Sequence, residues 1–140
     1  MATVADVADD YWVSLKRREP YYAVVAGERP TAIETVDETS IGETSAEARQ
    51  FLDRLSMTAA AASEADLAAV LEAHLVQQAA RIDEMWHIHP TAPYQSYGVS
   101  ACAQQVIAPQ PPAERRRLTT ELVAMIESIA GRVREQRARG

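Results

Sequence analysis

The sequence predicts an all-α protein, four to five helices in an irregular bundle, and three features of the 140-residue chain carry that expectation. Apolar residues recur at three- and four-residue steps in segment after segment, which is the spacing of one helix face. Pro20, Pro90, Pro93, Pro109, Pro111 and Pro112 fall between those segments, where a helix has to break. Acidic residues open the first segment and basic residues close it, as the helix dipole favours. The composition, 47% hydrophobic and 24% charged, suits residues 1–140 forming a single helical domain with a core of its own. It excludes collagen-like, low-complexity and fully disordered chains, which need a far more biased composition.

Each element follows from local signals. In residues 3–18, Val4, Val7, Ala8, Tyr11, Trp12 and Leu15 form one apolar stripe. Asp6, Asp9 and Asp10 lie towards its start, and Lys16, Arg17 and Arg18 at its end. Pro20 restricts Glu19 and breaks the run. A short helix over 21–26 then stops at Gly27, a residue suited to the position just past a helix end. Residues 28–43 carry isolated Ile33, Val36 and Ile41 among Gly, Pro, Thr, Asp and Glu, and read as a surface loop. Thr44, Ser45, Ala46 and Glu47 have the spacing of a capping box. Thr44 is therefore expected to open a helix to about residue 58 that buries Ala48, Phe51, Leu52 and Leu55. Ser63, Glu64, Ala65 and Asp66 open the next, an alanine-rich helix with Leu67, Val70, Leu71, His74, Leu75, Gln78, Ile82 and Met85 on one side. A further helix is expected over 95–107. Pro112 suits the first position of a last helix over 112–138, whose stripe is Leu118, Leu122, Met125, Ile126, Ile129 and Val133.

Charge and cysteine content narrow the function classes. Residues 1–112 hold 7 Lys or Arg against 16 Asp or Glu, and residues 113–140 hold 7 Arg against 4 Glu. An acidic body argues against nucleic acid as a partner, because phosphate binding needs a basic surface. The arginine-rich end is better explained as cations that complement the last helix and solvate its outer face. No apolar run is long enough to span a bilayer, so a membrane is not an expected partner. The first residues lack the basic and apolar regions of a secretory signal, and Cys102 has no second cysteine to pair with. A reducing cytoplasm is the expected compartment.

Candidate chemistry is sparse. His87 and His89 in Trp86-His87-Ile88-His89-Pro90 could share a face on extended backbone and hold a metal. Nothing in the sequence brings a third ligand to them, since His74 lies about three helical turns upstream. A capping or packing role at a helix C-terminus ranks above a metal site. His74, between Leu71 and Leu75, reads as a hydrogen-bonded core or interface histidine. Cys102 has no neighbouring His or Arg to make a thiolate and reads as a small buried residue. No serine stands in a Gly-x-Ser-x-Gly turn, and the glycines are too scattered for a phosphate-binding loop. The aromatic groups, Tyr11, Trp12, Tyr21 and Tyr22, then Trp86, Tyr94 and Tyr97, suit core packing with a polar contact at its edge.

Several short patterns, in order, carry a family resemblance. They are Asp10-Tyr11-Trp12, Pro20-x-x-Ala23-x-x-x-Gly27, and Ala48-Arg49-x-Phe51-Leu52-x-Arg54-Leu55. Thr91-Ala92-Pro93-Tyr94-Gln95-Ser96 follows, and then Arg115-Arg116-Arg117-Leu118 leading to Gln136-x-x-Arg139-Gly140. Together they resemble the N-terminal part of a bacterial family labelled "domain of unknown function 885". That resemblance implies relatives several times longer, similar to helical zinc metallopeptidases. It also implies a catalytic H-E-x-x-H helix, two histidines on one face with a glutamate base between them, beyond the matched part. The element is absent here, where Ile88 follows His87, so no catalytic or metal-binding residue carries over. Zinc is implied only for the missing catalytic part, and the chain itself is expected to hold no cofactor.

The resemblance implies a truncated gene product, an expressed fragment or a small standalone relative. The leading expectation is a non-catalytic N-terminal module that forms one wall of a substrate cleft and docks onto a catalytic half. Its partner is then the remainder of a larger protein or a second chain. Tyr94, Gln95 and Ser96, in a proline-bounded connection, are the residues expected to face that cleft or partner. The alternative is a standalone helical binding protein, a homo-oligomer or a holder of a small apolar ligand.

Overall fold

A computed structural model describes residues 2–33, 38–80 and 99–138, and the regular structure among them is helical, with no strand. The α-helices are α1 (Val4–Arg18), α2 (Pro20–Val25), α3 (Glu38–Ser56), α4 (Ala65–Ala80) and α5 (Pro112–Ala138). A 3₁₀ turn, Ala62–Glu64, leads into α4, and a π-helical segment, Cys102–Ile107, precedes α5. The all-α fold is the one that the apolar periodicity predicts.

Local chemistry sets most helix ends. Thr3 caps α1: its hydroxyl accepts the Asp6 N–H at 3.2 Å, and the Asp6 carboxylate accepts the Thr3 N–H at 2.8 Å. Pro20 takes the first turn of α2, where its missing N–H costs nothing. At the other end Gly27 has φ +74°, the left-handed conformation that glycine adopts without a Cβ clash. The Gly27 N–H then bonds to Val24 O at 3.0 Å and the Glu28 N–H to Ala23 O at 2.8 Å, closing the helix with two otherwise orphaned carbonyls satisfied.

The start of α3 corrects the sequence expectation. Residues 38–43 are helical rather than loop, and Thr44 lies inside the helix, its hydroxyl donating to Ser40 O at 2.9 Å. Glu47 reaches not to Thr44 but to the Ser14 hydroxyl, which donates to it. The reason is burial. Ile41, Ser45, Ala48 and Phe51 form one buried row at helical spacing, so extending the helix back by a turn places Ile41 in the core. That gain offsets the roughly 1 kcal/mol that a helical Gly42 costs.

The chain divides into two compact units, each described separately: Met1–Ser14 with Glu38–Ile88, and Leu15–Asp37 with His89–Gly140. In the first, α3 packs on α4, and the buried apolar side chains are Val4, Val7 and Tyr11, Ile41, Ala48 and Phe51, and Leu71, Leu75 and Ala79. In the second, Ile33, Val106, Ile107, Leu118, Leu122 and Met125 form the core, with Val24, Val99, Cys102 and Ile129 packed against it. Cys102 is half-buried there. Ahead of α5 the Ala108 N–H bonds to Ala103 O at 3.0 Å, a five-residue step that widens the helix.

Candidate functional site

In the first unit, polar side chains join the helices in specific pairs. His74 of α4 meets Tyr11 of α1 through Nε2 and the phenol oxygen, 3.0 Å apart, with the rings tilted at a centroid distance of 5.6 Å. The rings of Phe51 of α3 and Tyr11 meet edge to face with their centroids 5.1 Å apart. Arg54, one turn further along α3, lies over the Phe51 ring and pairs with the Asp10 carboxylate. Deeper in, the fully buried Ser45 donates to Gln78 O at 3.1 Å, and Arg49 donates to Ala79 O at 3.1 Å. The last two bring side-chain donors from α3 to backbone carbonyls of α4. These are fastenings between helices. His74 therefore has the hydrogen-bonded, half-buried setting that its place between Leu71 and Leu75 suggests.

In the second unit, Arg117 anchors the segment after Gly27. Its guanidinium donates to Thr31 O at 2.8 Å and to the carboxylates of Glu114 and Glu121, while Glu121 also accepts the Ile33 N–H at 2.9 Å. The hydrogen bond from Arg117 holds the Glu114 carboxyl below its ordinary range, and the same contact holds the Arg117 proton more firmly. Lys16 pairs with Glu28 nearby. The arginine-rich end thus splits: Arg117 is tied into this network and Arg132 is buried, while Arg115, Arg116, Arg134 and Arg137 are exposed.

The candidate residues His87 and His89, with Tyr94, Gln95 and Ser96, lie outside the described residues, as do Trp86 and Tyr97. Among the described residues no three His, Cys, Asp or Glu side chains gather as a metal site. No helix among them is long and apolar enough to cross a membrane.

What the sequence reading missed is a pair of exposed apolar faces. On α4 the buried residues are Leu71, Leu75 and Ala79, whereas Leu67 and Val70, expected on the same side, point outward, Val70 being 70% exposed. Ala69, Ala73 and Val76 lie beside Val70 on this outer face, with Asp66 and Gln77 as its exposed polar residues. On α5 the buried row is Leu118, Leu122, Met125 and, half-buried, Ile129, while Ile126 and Val133 belong to a second row with Val123. The signal was present as an excess: both helices carry more apolar residues than one face can bury. No family model, no curated protein and no solved structure matches the chain.

Proposed function

We propose that the chain works by binding, as a non-catalytic helical module that docks onto another protein surface through the exposed faces of α4 and α5. The observation that carries this reading is the outer face of α4, where Val70 and Val76 stand exposed on either side of Ala69 and Ala73. A contiguous exposed apolar face is the usual mark of an interaction site. The polar pairs Tyr11–His74, Ser14–Glu47 and Ser45–Gln78 support it as well, because they hold the three helices in one register and so keep that face rigid. The resemblance to the domain of unknown function 885 family supplies one identity for the partner, the catalytic half of a metallopeptidase-like protein. In that form Tyr94, Gln95 and Ser96 face the cleft, and zinc belongs to the other half.

The test is a double substitution, Val70→Glu with Val76→Glu. Both positions are exposed, so helicity and stability should stay within about 0.5 kcal/mol of the parent. The parent should bind an apolar dye or self-associate, and the variant should lose most of that binding. A parent chain that stays dye-silent and monomeric refutes the reading.

A further inference from the structure

Residues 28–33 have no regular structure, and among the described residues no backbone-to-backbone hydrogen bond reaches residues 29–33. Side chains hold this strap instead. Arg117 of α5 donates to Thr31 O at 2.8 Å, and Glu121, one turn along, accepts the Ile33 N–H at 2.9 Å. Arg117 also pairs with Glu121 and Glu114, so the catch is a single ionic group. Lys16 pairs with Glu28 at the start of the strap. The Arg117, Glu114 and Glu121 side chains are between 35% and 47% exposed, so their contacts are open to screening by salt. Beneath the catch, Ile33 is buried with Val106, Ile107, Leu118, Leu122 and Met125. Leu118 and Leu122 directly follow Arg117 and Glu121 in the sequence, so the catch and the apolar slot share the same turns of α5.

We infer that residues 28–33 are a latch: they leave α5 as a unit while the helices stay folded, with Arg117 and Glu121 as the catch and Ile33 as the anchor. The catch joins side chains to backbone atoms of the strap, so its release breaks no helical turn. Pro30 and Ile33 are buried, whereas Glu28, Arg29 and Thr31 are exposed, so little apolar surface opposes opening. Segments of that kind open at a lower free energy than the core beneath them. Ahead of the strap, the Gly27 and Glu28 N–H groups stay bonded to Val24 O and Ala23 O, so α2 keeps its end when the strap moves. Opening uncovers a slot lined by Val106, Leu118 and Leu122 that is covered in the closed chain. The device uses neither Val70 nor Val76 and stands or falls separately from the docking reading.

Native-state hydrogen exchange of the full chain, read amide by amide, decides it. The Ile33 N–H should be protected, but about tenfold or more less than the N–H groups of Leu122 and Met125 in α5. Its protection should barely change in dilute urea, because a local opening exposes little surface, whereas that of Leu122 and Met125 falls steeply. Raising salt from about 0.05 M to 0.5 M should lower the Ile33 protection several-fold and leave the α5 pair unchanged. Arg117→Ala should lower it about tenfold at low salt and remove the salt response. Glu121→Gln keeps an acceptor for the Ile33 N–H, so it should lose the salt response with a smaller loss of protection. An Ile33 N–H that exchanges with the α5 amides and shares their urea dependence overturns the inference, because the strap then leaves only when its unit unfolds. One with no protection overturns it too, since the catch is then never closed. So does protection that neither substitution changes in a chain whose circular dichroism remains helical.

Discussion

Thr3 and Asp6 close the first turn of α1 reciprocally, each accepting the other's backbone N–H. The Thr3 N–H and hydroxyl, both donating to the Asp6 carboxylate, hold that carboxyl below its ordinary range. A lowered carboxyl contributes stability that is fully present above its unfolded value and is lost as the pH falls through its folded value. The first turn of α1 should therefore fray only in acid, below the ordinary aspartate range. Thr3→Ala should cost about 1 kcal/mol at neutral pH and flatten that part of the acid dependence, measured by urea unfolding against pH. The same four-residue pattern at Thr44 and Glu47 makes no cap, because Thr44 bonds back to Ser40 and Glu47 to Ser14. One motif at two positions has two outcomes, and the difference is whether the chain before it is free to stay outside a helix.

At the scale of elements, three glycines report on backbone state. Gly42 lies within α3 and an added Cβ would meet nothing within 4 Å, so Gly42→Ala should stabilise the protein by about 1 kcal/mol. Gly131 in α5 has similar room, with Arg134 no closer than 4.0 Å, and the same sign is expected. Gly27, at φ +74°, should behave oppositely, with Gly27→Ala destabilising by about 1 kcal/mol. Thermal unfolding of the three variants checks all of this, and a destabilised Gly42→Ala protein would restore the loop over residues 38–43. These elements were legible to different degrees. α1 and α2 begin and end, and α5 begins, where capping residues, prolines and Gly27 direct, because such signals act over a single turn. The start of α3 was not legible, since a stretch of Thr, Ser, Gly and Glu has weak helix propensity and becomes helical by burying Ile41.

For the molecule as a whole, the cores and the open faces make opposite demands on substitution. Leu75 in the first unit and Leu118 in the second are fully buried, so Leu75→Ala and Leu118→Ala should each cost about 2–5 kcal/mol. Val70→Ala and Val123→Ala, at exposed positions, should change the stability of the dissociated chain by no more than about 0.5 kcal/mol. Chemical denaturation at low protein concentration separates the two classes, and a large loss at Val70 or Val123 would mean that those faces are covered within the chain itself. This division was only half legible. The stripes of α4 and α5 show that apolar residues suffice for a core. They leave unsaid which of them a neighbour covers.

The sequence by itself determined the all-α class, the helix ends built from local signals and the placement of charge along the helices. Each of these depends on residues within a turn or two, where propensity, capping and the helix dipole act. Only the tertiary structure decided that Leu71 and Leu75 face inward while Leu67 and Val70 face out, or that Glu47 serves Ser14. The partnership of His74 with Tyr11, 63 residues apart in the chain, belongs with them. The physical reason is common to these cases: burial and long-range hydrogen bonding are set by whichever surface packs alongside, and a helix apolar on several sides can satisfy its own periodicity in more than one orientation.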